Sequence, residues 1–492
     1  MASIPHEERA LVLQGGGSLG AYEAGIYKVA YSFLKQKDKE QGNTRRPTFD
    51  IIAGTSIGAI NSAILTSYVI ENKTWEGSAE RLIEFWNYIS TEPIPKPFED
   101  YFMSWWNYFR NFDPYMGTAE TARRYYSSKE FAITGAPNVF SPPHAEQDRK
   151  FLDPANRWYR YDNQPLKKSL ERFAKFPIAT CQEDNQPRLL LTAVDVAEGS
   201  PVVFDSYPKK DGTRKTEYGR YIVDNKFSDD DYYESEAEKE IGFAHIIRYD
   251  KGITADHVIA SCAYPVSYDY AEIEVDSYDQ EEKKYAKNTH QFWDGGLLSN
   301  TPLLQLVTSQ RQYWYGVRGL KGVLPKLNIL IVNLHPARSN IIPWDKDGVE
   351  NRNSDITFAD RSKNDENAIL LLSDLVDLSK KILEISKENG VKPKIFDDLL
   401  DSLPASHGRL HGMKSVRYRD MLEGQYNISQ IMRFERKHDE NSIFRKIMDF
   451  SSETIKRLIQ DGYNEGVDYI KTNFGNEIAL AAGLENRKEK NP

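Results

Sequence analysis

Cysteine is scarce in this chain of 492 residues, and long apolar runs are missing. The two cysteines, Cys181 and Cys262, stand far apart with no C-x-x-C spacing, which excludes a disulfide framework or a zinc site and suits a reducing cytosol. The opening "MASIPHEERALVLQ" lacks the basic start and apolar core of a secretory leader. "GAINSAILTSYVI" is too short and too polar to span a bilayer. A cytoplasmic protein with at most peripheral contact with membranes is the expectation. Cations are not in excess either: 64 Lys and Arg face 73 Asp and Glu, a net charge of −9. That argues against nucleic acid as a partner, since binding it needs clustered positive charge to replace counterions.

What the chain does have is alternation. Between residues 9 and 70, strand-like "RALVLQ" and "FDIIAG" alternate with helical "AYEAGIYKVAYSFLKQ" and "SIGAINSAILTSYVI". This order predicts an α/β fold with a mainly parallel sheet covered by helices. "RLLLTAVDV", "SPVVFDS", "HQFWDGG" and "LNILIVNLH" are further strand candidates, which puts the catalytic core at 9–336. An aromatic-rich helical insertion covers 75–160. Its rings are expected to pack inside; the competing reading is a wall or lid that meets lipid. The charge-dense stretches 207–243 and 271–290 read as solvated loops or hairpin tips. A helical C-terminal extension covers 341–492. Its Leu371, Leu375, Leu378, Ile382 and Ile385, and its Ile455, Leu458, Ile459, Tyr463 and Ile470, form two apolar stripes expected to pack in a core.

Two glycine clusters carry the chemistry. In "LVLQGGGSLGAYEAG", Gly15, Gly17 and Gly20 satisfy G-x-G-x-x-G, which fits either a dinucleotide or an oxyanion facing backbone N–H groups. In "FDIIAGTSIGAINSA", Gly54, Ser56 and Gly58 form G-x-S-x-G between a strand and a helix, the setting of a nucleophilic serine on a tight turn. Both turns open at one edge of a parallel sheet, so Gly15, Gly16 and Gly17 can donate to a carbonyl attacked by Ser56. A dinucleotide site would want an acid ending the second strand, and that strand ends in Gly54. A serine also needs a base. Asp294, followed by Gly295 and Gly296 in "FWDGGLLSNTP", is the stronger candidate, and His335 is the one histidine late in the core, where a conventional triad would need it.

Taken in order, "GGGSLG", "GTSIG", "HVIASCAYP" and "DGG" followed by "NTP" resemble the patatin-like phospholipase family, over most of residues 9–336. The resemblance implies a three-layer α/β/α fold and a Ser–Asp dyad of Ser56 and Asp294. It further implies hydrolysis of lipid esters through an acyl-enzyme, with no metal or cofactor. Many relatives carry Arg or Lys where this chain has Leu19. A general carboxylesterase or acyltransferase would use the same dyad, and a nucleotide-binding regulatory module would use the glycine loop alone. The oligomeric state is left open.

Overall fold

The computed structural model describes residues 4–93, 95–113, 117–145, 157–223, 240–279, 281–402, 417–437, 441 and 443–486; the acidic run at 228–239 lies outside them. Ten strands form the central sheet: β1 (Glu7–Leu13), β2 (Ile51–Thr55), β3 (Arg188–Asp195), β4 (Ser200–Asp205), β5 (Lys215–Val223), β6 (Glu240–Arg248), β7 (Ala271–Asp279), β8 (Lys284–Asp294), β9 (Lys326–Asn333) and β10 (Ile428–Glu435). Their order is β10-β9-β1-β2-β3-β8-β7-β6-β5, with β4 also on β3. The block from β10 to β3 is parallel throughout. Beyond it the strands run antiparallel as an arm. The charge-dense stretch 271–290 thus belongs mostly to the β7–β8 hairpin, and 215–223 and 240–248 are strands of the same arm.

Because successive side chains of a strand point to opposite faces, the near-continuous apolar strands feed two cores. Leu11, Leu13, Ile52, Leu330 and Val332 point to one side. They meet helices α1 (Gly20–Glu40), α2 (Ile57–Asn72) and α3 (Ser78–Ile89), through residues such as Ile26, Ile60, Phe85 and Trp86. Ala10, Val12, Ile51, Ala53, Ile329 and Ile331 point to the other. There they meet Leu303, Leu306 and Val307 of a helix at Leu303–Arg311. The result is the expected three-layer α/β/α arrangement.

Two expectations need correction. The tail is not wholly helical, and part of it is built into the sheet and its helical layer. Strand β10 pairs in parallel with β9, and the C-terminal helix Ser452–Phe474 lies along α1. Contact there is backbone to backbone: a Cβ on Gly25 would stand 2.2 Å from the Ile459 carbonyl oxygen, and one on Gly462 would stand 2.2 Å from that of Tyr22. Ile455, Leu458, Tyr463 and Ile470 are accordingly buried. The second correction concerns apolar residues expected inside. In the insertion, Phe85 and Trp86 are fully buried, but the helix Lys96–Arg110 buries none of its residues and leaves Phe98, Tyr101, Trp105 and Tyr108 exposed. Leu371, Leu375, Leu378, Ile382 and Ile385 are exposed as well. Periodicity reports that a helix has an apolar face, not what covers it.

Candidate active site

Strand pairing brings the serine and the aspartate together. One edge of β3 pairs with β4 over Leu190–Asp195. The other edge is shared, by β2 up to Thr55 opposite Thr192 and by β8 ending at Asp294 opposite Ala193. Two strands of opposite direction therefore end against neighbouring residues of β3. Ser56, one residue past β2, and Asp294, the last of β8, meet at that point.

Ser56 caps the N-terminus of α2 with φ 56° and ψ −126°. A non-glycine residue in that region carries strain of roughly 1–3 kcal/mol, which the surroundings must hold. Gly54 and Gly58 allow the turn to close: a Cβ on Gly54 would stand 2.3 Å from the Gly58 carbonyl oxygen, and one on Gly58 would stand 2.4 Å from that of Leu13. A clamp from Ser261–Ala263 completes it. The Ser56 N–H donates to Ser261 Oγ at 2.9 Å, and the Cys262 thiol donates to the Ser56 carbonyl at 3.1 Å. The Asp294 N–H donates to the Ala263 carbonyl at 2.9 Å, so one short segment positions both residues.

Asp294 is 3% exposed. Burial pushes its carboxyl up to about 7, against the lowering pull of the Ser56 side chain and the Gly296 N–H. The latter donates to Asp294 Oδ1 at 2.7 Å. A carboxylate balanced near neutrality beside a hydroxyl is suited to accept its proton. Gly295 packs directly on the Thr192 backbone, which sets the turn after Asp294 against β3.

The glycine loop lies against the same turn: a Cβ on Gly15 would stand 2.9 Å from the Ser56 Cβ. Its three glycines are not equivalent. Gly15 spends its N–H on Asn300 Oδ1 at 3.1 Å, and the Asn300 amide returns a bond to the Gly15 carbonyl at 3.2 Å. Among the described residues the N–H groups of Gly16 and Gly17 have no protein acceptor, so of the three expected donors only that of Gly15 is already engaged within the protein. Gln14 anchors the loop from behind: its N–H donates to Glu23 Oε1 at 2.8 Å, and its Oε1 accepts from Leu334 N at 2.6 Å. Neither Gln14, Asn300 nor Ser261 is singled out by sequence spacing. Their roles depend mainly on partners hundreds of residues away, Leu334 for Gln14, Gly15 for Asn300 and Ser56 for Ser261.

His335 lines the same cavity, but its side-chain hydrogen bond is to Asp355 rather than to Ser56 or Asp294. Its Nδ1 lies 3.2 Å from Asp355 Oδ1, and a Cβ on Gly16 would stand 3.3 Å from its Nε2. Burial holds the imidazole below its usual value despite the pull of Asp355. The cavity encloses about 900 Å³ with its open mouth included, and its inner wall is apolar, from Ile60, Val139, Leu166, Ile447, Met448 and Phe450. An apolar pocket with a few convergent polar groups is the usual form of a small-molecule site.

The family model for patatin-like phospholipase matches residues 11–307, a span that holds the glycine loop, Ser56 and Asp294. The chain belongs to the patatin-like phospholipase family. Membership supports lipid hydrolysis as its activity and agrees with the three layers. A search of curated proteins gives no match. Among solved structures, the chain is similar to "Crystal structure of VipD from Legionella pneumophila", at 11% identity and a TM-score of 0.26, covering 97% of this chain and 71% of that one. Among the described residues no helix is long and apolar enough to cross a membrane.

Proposed function

We propose that this patatin-like protein cleaves carboxylic esters of lipids through an acyl-enzyme on Ser56, with Asp294 as base. The observation that carries the reading is the strained serine turn set beside a buried carboxylate that titrates near neutrality. Asp294 takes the Ser56 proton as the hydroxyl attacks the ester carbonyl. The N–H groups of Gly16 and Gly17 and the positive end of α2 stabilise the tetrahedral oxyanion. Protonated Asp294 then gives its proton to the leaving alcohol. In the second half it activates water, which releases the fatty acid. The apolar wall of the cavity receives the acyl chain.

Mass spectrometry after a fluorophosphonate probe tests this directly. A single label on Ser56 is expected, and a label confined to other serines overturns the reading. Product analysis with a phospholipid, a short-chain ester and an added alcohol separates lipid hydrolase from carboxylesterase and from acyltransferase. Gly16→Ala keeps the backbone N–H but crowds the loop, and a donor moved out of line is expected to lower kcat by up to roughly 100-fold, the scale of losing it outright. Its added methyl would stand 2.8 Å from Leu334 Cδ1 and 3.3 Å from His335 Nε2, both buried, so the loop has to shift to make room. A fall in kcat with little change in melting would support the loop's part in the chemistry, and unchanged kcat would show that the methyl is accommodated without moving the N–H.

The lipid surface is met by the helix Lys96–Arg110. Its Phe98 and Tyr101 are 71% and 73% exposed, and aromatic side chains of this kind favour the boundary between apolar and wet surroundings. The helix packs on Ala119–Thr134, which touches the Lys446–Met448 turn at the cavity wall. Added vesicles should shift tryptophan emission to the blue, and Trp105→Ala should reduce both the shift and vesicle binding. Full vesicle binding by a Trp105→Ala, Phe98→Ala double variant would assign the surface elsewhere.

A further inference from the structure

The helix α4 (Ser362–Glu388) presents an apolar stripe that the proposed activity does not use. Its inner side is tied to the body of the protein. Ile369 is buried in the core beside Leu306, Lys380 donates to Gln425 Oε1 at 2.7 Å, and Gln425 Nε2 donates to Asp377 Oδ1 at 2.8 Å. Its outer side carries Leu371, Leu375, Leu378, Ile382 and Ile385, each 50–61% exposed. The spacings are four, three, four and three. Preceded by Ala368, these are consecutive a and d positions of a heptad repeat, the period at which one helix packs along another.

Three observations choose the occupant. The helix holds four lysines against six carboxylates and no aromatic residue, unlike a helix that lies on an anionic membrane. The 403–416 segment of the same chain sets Pro404, Gly408 and Gly412 among its few apolar residues and supplies no second heptad seam. The stripe is also complementary to itself when reversed. With Leu375 opposite Leu378 of a second copy, Leu371 falls opposite Ile382 and small Ala368 opposite Ile385, each pairing an a position with a d position. In that register the flanking g positions place Asp374 beside Lys381 of the second copy, twice by symmetry. A parallel pair would set Asp374 and Lys381 against serines instead.

We propose that two copies of this chain associate through α4 as an antiparallel two-helix coil. The helix is already ordered on the protein, so association need not meet the cost of forming it. Every position concerned is exposed in the single chain, so substitutions there leave its core intact.

The test is sedimentation equilibrium and light scattering of the full chain, with circular dichroism melts as the folding control. A dimer is expected for the wild type. The double variant Leu375→Asp, Leu378→Asp should raise the dissociation constant by about 100-fold or more while melting as a folded monomer, since buried charge at the central layer is left unpaired. Asp374→Lys and Lys381→Asp should each weaken the dimer, and the two together should restore it. A monomeric wild type at 100-fold the concentration of a typical assay, or a dimer indifferent to the leucine substitutions, overturns the proposal. So does a wild type that stays monomeric but binds vesicles through Leu375 and Leu378. Charge reversals without effect would overturn the antiparallel register.

Discussion

Ser56→Ala is expected to lower ester turnover on the order of 10⁴-fold or more and to abolish fluorophosphonate labelling, because no neighbouring group can replace a covalent nucleophile. The melting temperature should barely move. Alanine inherits the same backbone strain as serine, and only one hydroxyl is removed. Ser56→Gly separates strain from chemistry. At φ 56° and ψ −126° glycine is unhindered, so this variant should be equally inactive yet melt higher. The stability gained measures what the turn costs the protein in order to present the hydroxyl. Wild-type turnover by purified Ser56→Ala protein would sink the enzymatic reading altogether. Equal melting of the alanine and glycine variants would show that the turn is relaxed rather than strained.

The parts of the site that were legible in the sequence are those built from local geometry. Gly54, Ser56 and Gly58 announce a serine turn because only glycine permits the backbone contacts at both flanks, and those contacts are present. Apolar strands alternating with helices announce a mainly parallel sheet covered by helices, because each such strand must be covered on both faces. The α/β core was legible for the same reason. Strand β10 was not: "ISQIMRFE" is half polar and distant in sequence from the β9 edge it completes. Nor was the use of the Gly15 N–H, which is decided by Asn300, 285 residues away. The exposed stripes on Lys96–Arg110 and on α4 have the same periodicity as the buried stripe of Ser452–Phe474. What separates them is tertiary: Gly462 lets the helix Ser452–Phe474 approach α1, and no described element lies over the other two stripes.

Asp294→Asn should abolish turnover and at the same time stabilise the protein, with a pH dependence that identifies the group. The carboxyl titrates at about 7 in the folded protein, because burial raises it, whereas an unperturbed aspartate titrates at about 3.9. Below about pH 4 it is protonated in both folded and unfolded chains and carries no penalty. As pH rises from there to 7, the unfolded chain loses the proton while the folded one keeps it, so its contribution to stability falls. Above 7 the loss is complete and amounts to at most about 4 kcal/mol, three units at 1.36 kcal/mol each. Asparagine removes that loss. The melting temperature of Asp294→Asn should therefore match the wild type near pH 4 and exceed it increasingly up to pH 8. Activity runs the opposite way. Only the ionised carboxylate accepts the Ser56 proton, so kcat/KM of the wild type should climb through about pH 7 and level off above it. That limb falls where an imidazole would also titrate, so the pH profile alone does not exclude His335. Two further measurements do. Carboxyl ionisation has little enthalpy, so the limb should hold its position on warming, whereas an imidazole limb would move to lower pH. His335→Ala should keep substantial kcat/KM after allowance for its lost packing. Normal activity in Asp294→Asn, or near-complete inactivation by His335→Ala in a protein that melts like wild type, would replace the dyad by a histidine-dependent triad.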